Sequence, residues 1–186
     1  MWLRCAVGLL TSWLSAAAQL HVGVKAGAPL AELTETVGAG DWSNLPSRWA
    51  FGLMVDVDLP ADLGIEFNAL YRRVGYEGAR LDQVPVLRWK ARDEVWDFPL
   101  IGKYRFPGAV VRPYVGAGIA FRKLNDLMRP GSGSRGPVLS GGLRANVLVL
   151  KLSPELRYTR WTGGEDIRAG FRARKNQMEF LLGITF

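Results

Sequence analysis

The stretch at residues 177–186, Gln-Met-Glu-Phe-Leu-Leu-Gly-Ile-Thr-Phe, constrains this chain more than any other. Met178, Phe180, Leu182, Ile184 and Phe186 share one parity and are all large and apolar. Gln177, Glu179, Gly183 and Thr185 share the other, with Leu181 the one apolar exception. Successive side chains of a strand point to opposite faces, so this segment is a ribbon with a greasy side and a polar side. A bulky apolar face that ends on an aromatic is poorly placed in water and well placed against lipid.

The same alternation recurs along the chain. It places Val22, Val24 and Ala26 against His21, Gly23, Lys25 and Gly27, then Trp49, Phe51, Leu53, Val55 and Val57 against Gly52, Asp56 and Asp58. Next come Leu63, Ile65, Phe67, Ala69 and Tyr71 against Gly64, Glu66, Asn68 and Arg72, and Trp96, Phe98, Leu100, Tyr104 and Phe106 against Asp97, Lys103 and Arg105. Segments at 114–122, 139–147 and 150–161 follow, and the last segment completes a set of eight. Short connectors at 59–62, 107–110 and 146–149 alternate with long links at 28–47, 75–94, 124–137 and 162–175. Such a short–long alternation is the asymmetry of a barrel with tight turns at one membrane face and loops at the other.

Two arguments decide which face points out. The apolar parity carries so many Trp, Phe and Tyr residues that an eight-stranded interior, just wide enough to be filled by side chains, cannot hold them. The opposite parity interleaves glycine with long charged chains, which suits a narrow polar lumen. The apolar parity also carries no Asp, Glu, Lys or Arg within the strand cores. A water-facing surface would carry charge on about a quarter of its positions. A soluble periplasmic lipocalin-like barrel, with the apolar face inward around a small molecule, is the alternative reading. The fold class expected is all-β: an eight-stranded antiparallel up-and-down transmembrane barrel.

No stretch is long and apolar enough for a spanning helix, which leaves a closed barrel as the way to cross a bilayer. Residues 1–18 read as a signal peptide, with Arg4, an apolar run and Ala16-Ala17-Ala18 before Gln19, and residues 19–186 as the barrel domain. A buried helix or an uncleaved anchor is the competing reading of that first segment. Cys5 is the only cysteine and falls within it. The rest of the chain therefore offers no disulfide, cysteine-ligated metal or thiol nucleophile. Formal net charge is +7, but the basic residues form no dense run, so nucleic acid is not an expected partner.

The aromatics sort by height. Trp49, Tyr71, Trp96, Phe121 and Tyr158 fall at the long-link ends of their segments; Tyr104, Phe106 and Phe186 fall at the short-turn ends. They read as two interfacial girdles. On the polar parity, Lys25, Glu66, Arg72, Asp97, Lys103, Arg105, Arg144, Glu155, Arg157 and Glu179 read as a lumen charge network. Counting from the short turns sets Arg157 level with Glu179 and Glu66 level with Lys103. It also puts Lys25 within reach of Glu179, and Arg144 within reach of Glu155. Buried charges must be paired, so the network reads as a salt-bridged plug rather than a proton or ion path.

Val22-Gly23-Val24-Lys25-Ala26-Gly27, Pro113-Tyr114-Val115-Gly116-Ala117-Gly118, Pro154 to Trp161 and the Gly183-Ile184-Thr185-Phe186 end resemble the small outer-membrane β-barrel domain proteins, similar in architecture to the OmpA/OmpX type. The resemblance spans residues 19–186. It implies the bacterial outer membrane, with both termini in the periplasm. It also implies a monomer, with outer-membrane lipids as surroundings and the outer-membrane insertion machinery as partner during biogenesis. Arg80, Arg88, Lys90 and Arg92, then Arg168, Arg172, Arg174 and Lys175, make the second and fourth links basic. They read either as contacts for lipopolysaccharide phosphates or as solvated loop charge. His21, the single histidine, sits at the periplasmic start of its strand, the wrong end for chemistry at the cell surface, and reads as an interfacial strand residue, so no enzyme is expected. No metal, cofactor or catalytic residue is expected, and the role is structural or surface-interaction. Pro99 lies inside a strand, where a bulge is expected.

Overall fold

The computed structural model describes residues 19–30, 34–36, 42–45, 49–80, 87–125, 133–147, 149–162, 166–168, 171–173 and 175–186. The segment 1–18, with Arg4 and Cys5, lies outside them, as do Arg174 and Glu165. Twelve strands are present among the described residues: β1 (Gln19–Pro29), β2 (Thr34–Thr36), β3 (Trp42–Leu45), β4 (Ala50–Asp58), β5 (Leu63–Arg80), β6 (Leu87–Arg105), β7 (Val111–Asn125), β8 (Gly133–Val147), β9 (Leu150–Arg160), β10 (Asp166–Arg168), β11 (Phe171–Ala173) and β12 (Asn176–Thr185). Eight of them pair antiparallel in a ring, β1-β4-β5-β6-β7-β8-β9-β12, and β12 returns to β1. The chain is an all-β, eight-stranded closed barrel, as the alternation predicts. The seam is tied at both ends, by Leu30 N–H to Met178 O at 2.8 Å and Phe186 N–H to Val22 O at 3.2 Å.

Register fixes the barrel's dimensions. From Gln19, successive cross-strand partners are Asp58, Gly64, Lys103, Gly116, Ser140, Arg157 and Glu179, and the circuit returns to β1 at Pro29. One turn of the ring therefore climbs from residue 19 to residue 29, a shear of ten. With ordinary strand rise and spacing, that shear tilts eight strands by about 40° and gives a radius of about 8 Å. Side chains from opposite walls of such a tube meet at its axis.

Side-chain facing follows parity. Phe51, Leu53, Phe67, Leu100, Ile119, Leu156, Phe180 and Leu182 are exposed on the outside. Lys25, Glu66, Arg72, Lys103, Glu155 and Arg157 are buried within.

Two regions differ from the sequence reading. Links 75–94 and 124–137 contain strand: β5 and β6 stay paired as far as Arg80 and Leu87, and β8 already begins at Gly133. On β6 the alternation continues above the belt but inverts, Leu87, Trp89 and Ala91 sharing the parity of Asp97 while Arg88, Lys90 and Arg92 share that of Trp96, so the paired extension does not continue the pattern below it. β3 adds to this extension, Trp42 opposite Gly78 and Leu45 opposite Gly75. β2, β10 and β11 form a separate three-stranded sheet. Pro99 produces no bulge. Phe67 opposes Leu100 and Leu70 opposes Asp97 in one unbroken register, and only the two intervening pairs are missing. Pro154 leaves the same gap towards β8, between the pairs Gly142–Glu155 and Ala145–Leu152. Each proline lacks one donor, so the ladder opens there while its flanks hold the strands in step.

Candidate functional site: the charged lumen

The inward parity of the eight strands converges on three tiers of charge. In the middle tier, Lys25 Nζ lies 2.5 Å from Glu66 Oε1 and 3.1 Å from Glu155 Oε2. Lys103 donates to Glu66 and lies 3.5 Å from Glu155. Arg157 Nη2 stands 3.2 Å from Glu66 Oε1 and 2.6 Å from Glu155 Oε1. Tyr114 donates its hydroxyl to Glu155 at 2.7 Å, Asn68 donates to Glu66 at 2.8 Å, and the Lys103 ammonium sits 4.1 Å from the Tyr114 ring centroid. Lys25, Glu66 and Glu155 side chains have no solvent exposure at all.

The upper tier joins Arg72 to Asp97 at 2.7 Å and to Glu179 at 2.5 Å. Arg122 grips both oxygens of Asp97, at 2.7 and 3.0 Å, and donates to Gln177. Its guanidinium lies 4.0 Å from the ring centroid of Trp161, whose indole N–H also donates to Gln177. The lower tier holds Arg105 between Asp56 and Asp58, both at 2.8 Å, and Arg144 2.8 Å from Asp58. His21 Nε2 lies 3.1 Å from Asp58 and 2.7 Å from Lys151 Nζ at the edge of this tier.

Many of these contacts cross the lumen. Asp58 on β4 and Arg144 on β8 sit four strands apart in either direction round the ring, yet their side chains meet. Arg72 on β5 and Glu179 on β12 are three strands apart. Between the charged tiers Leu70, Ile101, Val138 and Leu181 are fully buried and point inward.

All ten residues assigned to the charge network face the interior and are buried. The partners differ in part. Glu66 and Lys103 do meet. Arg157 and Glu179 are register partners, but Glu179 is held by Arg72. Lys25 does not reach Glu179, because closure sets it opposite Gly183, four residues away along β12. Arg144 turns to Asp56 and Asp58 rather than Glu155, since β8 sets Gly142 opposite Glu155. Asp56, Asp58, Asn68, Tyr114, Arg122 and Gln177 belong to the same network and were not assigned to it from sequence. Their parity, shared with Glu66, Asp97 and Glu179, is the signal that marks them.

Outside, the aromatics assigned to the rims lie exposed or half-exposed: Trp49, Tyr71, Trp96, Phe121 and Tyr158 at the long-link ends, and Tyr104, Phe106 and Phe186 at the short-turn ends. Phe51, Tyr71, Trp96 and Phe98 form a continuous row, with successive ring centroids 5.5, 5.2 and 6.2 Å apart. Tyr71 donates to Glu94 and accepts from Arg73, and Tyr158 donates to Asn176. Polar partners thus begin at the height where those hydroxyls end. Among the described residues, no group of His, Cys, Asp and Glu has the arrangement to hold a metal ion.

No family model matches the chain, and no curated protein matches it by sequence. Solved structures do. Neisserial surface protein A (NspA) superposes with a TM-score of 0.57 at 17% identity, covering 91% of this chain and 97% of that one. The outer membrane protein AlkL, determined by solid-state NMR in DMPC lipid bilayers, superposes with a TM-score of 0.56 at 15% identity, covering 91% of this chain and 90% of that one. At these identities the likeness is one of fold: this chain has the fold of the small eight-stranded outer-membrane β-barrels.

Proposed function

We propose that the chain is an integral protein of the bacterial outer membrane, a monomer with both termini in the periplasm and a closed, salt-bridged lumen. Its role is structural or one of surface interaction, not catalysis. Residues 1–18 serve as the signal peptide and 19–186 as the barrel. The observation that carries this reading is the sorting of one closed sheet into an apolar exterior and a charged interior. A water-soluble barrel around an apolar guest needs the reverse. Among the described residues, lumen side chains from opposite walls meet and bond one another, which supports a lumen closed to ions. Outer-membrane lipids surround the belt. The basic positions Arg80, Arg88, Lys90 and Arg92 lie on the β5–β6 extension above it, where lipopolysaccharide phosphates stand. The outer-membrane insertion machinery handles the chain during biogenesis.

Membrane fractionation with gel mobility before and after boiling tests the reading. A compact band in the outer-membrane fraction, converted by heat to a slower one, is the expected result. Recovery in the soluble fraction without detergent would return the lipocalin-like alternative. In planar bilayers the purified protein is expected to give no stable conductance step.

A further inference from the structure

The charges of the lumen do not balance. Seven cations are buried within the barrel: Lys25, Arg72, Lys103, Arg105, Arg122, Arg144 and Arg157. Facing them are five buried carboxylates, Asp56, Glu66, Asp97, Glu155 and Glu179, and the part-exposed Asp58. The upper tier is neutral, with Arg72 and Arg122 against Asp97 and Glu179. So is the lower tier, with Arg105 and Arg144 against Asp56 and Asp58. The surplus lies in the middle, where Lys25, Lys103 and Arg157 share only Glu66 and Glu155. An uncompensated charge at full burial is among the costliest features a protein can carry.

A second observation falls in the same tier. Arg157 Nη1 is buried without a hydrogen-bond partner, and so is Ser140 Oγ. Arg157 and Ser140 are direct register partners on β9 and β8. Gly116 stands opposite Ser140 on β7, and the space a side chain there would take is shared by the Ser140 hydroxyl and Ile101. Two donors without partners, one of them cationic, thus belong to paired residues of the tier that has one positive charge too many.

We infer that the middle tier holds a monovalent inorganic anion, bound between Arg157 and Ser140 and enclosed as the barrel closes. The inference rests on the closed-lumen reading above. Chloride, with bromide as its heavy analogue, is the probe. The full chain is refolded from urea into detergent micelles in sodium bromide or in sodium gluconate of equal ionic strength. The midpoint of the heat-induced gel shift is then measured. Bromide is expected to raise it, by about 4 °C for each tenfold increase above its dissociation constant. Crystals grown in bromide are expected to show an anomalous peak between the two side chains. Lys25→Gln, which neutralises the tier, is expected to give a midpoint independent of halide. Ser140→Ala, which leaves the charge unchanged, is expected to weaken the halide response without abolishing it. No anomalous peak, or a wild-type midpoint indifferent to halide, overturns the site. A steady open conductance in planar bilayers would instead sink the closed-lumen reading, which the halide result does not touch.

Discussion

The guanidinium of Arg105 occupies the space that a side chain on Gly64 would fill: a Cβ built there would lie 2.4 Å from Nη2 and 2.6 Å from Nη1. Gly64 faces inward on β5, one strand from Arg105 on β6, and its lack of a side chain lets Arg105 lie flat between Asp56 and Asp58. Gly142 does the same for the Tyr114 ring, at 2.7 Å. Gly64→Val therefore forces Arg105 off its two carboxylates. The expected loss is about 2–4 kcal/mol, from overpacking and a broken buried pair. Urea titration of the micelle-folded protein checks it; a loss below that range would mean that Arg105 has room to move.

Glu66 accepts from Lys25, Lys103, Arg157 and Asn68. Glu66→Gln leaves three cations to Glu155 alone and is expected to cost about 3–5 kcal/mol. Combining it with Lys103→Met returns the tier to a single surplus charge, Lys25 and Arg157 against Glu155, so the double variant should be more stable than the sum of the two singles predicts. A double-mutant cycle on urea midpoints measures the coupling. Strict additivity would mean that the two groups do not interact across β5 and β6.

Leu100 faces outward near mid-belt on β6, between Phe67 and Ile119 on its neighbours. Leu100→Arg puts a charge into hydrocarbon and is expected to cost about 2–4 kcal/mol. Trp49, 70% exposed at the upper rim, should tolerate Trp49→Arg at about 0–1 kcal/mol. Folding yields in lipid vesicles of the two variants give the depth profile. Equal effects at both positions would contradict a lipid-facing belt.

Pro99 opens the β5–β6 ladder without shifting its register. Pro99→Ala supplies the missing N–H opposite β5, with no change of pairing on either flank. One added ladder bond is expected to stabilise the barrel by about 0.5–1.5 kcal/mol. Hydrogen exchange should then show a newly protected amide at residue 99. An unprotected amide there would mean that the two strands are splayed rather than merely short of a donor.

The parity of each ribbon was legible in the sequence. Phe180 and Leu182 outward with Glu179 and Gly183 inward follows from the two-residue period of a strand, which depends on nothing beyond the strand itself. From eight such ribbons came the barrel, its outer face and the interior placement of Lys25, Glu66 and Arg157. Pairing was not legible. A height counted from the nearest turn is sound between neighbours, as for Glu66 and Lys103, but it ignores the stagger that builds up round the ring. By the seam that stagger has grown to the ten residues between Gln19 and Pro29, which is why Glu179 stands beside Pro29 and not Lys25. Contacts across the axis, such as Asp58 with Arg144, depend further on the radius, a property of the closed sheet. The sequence by itself determined which side of each strand faces outward, because that is local chemistry. Only closure decided which charge meets which, because shear and diameter are set by all eight strands at once.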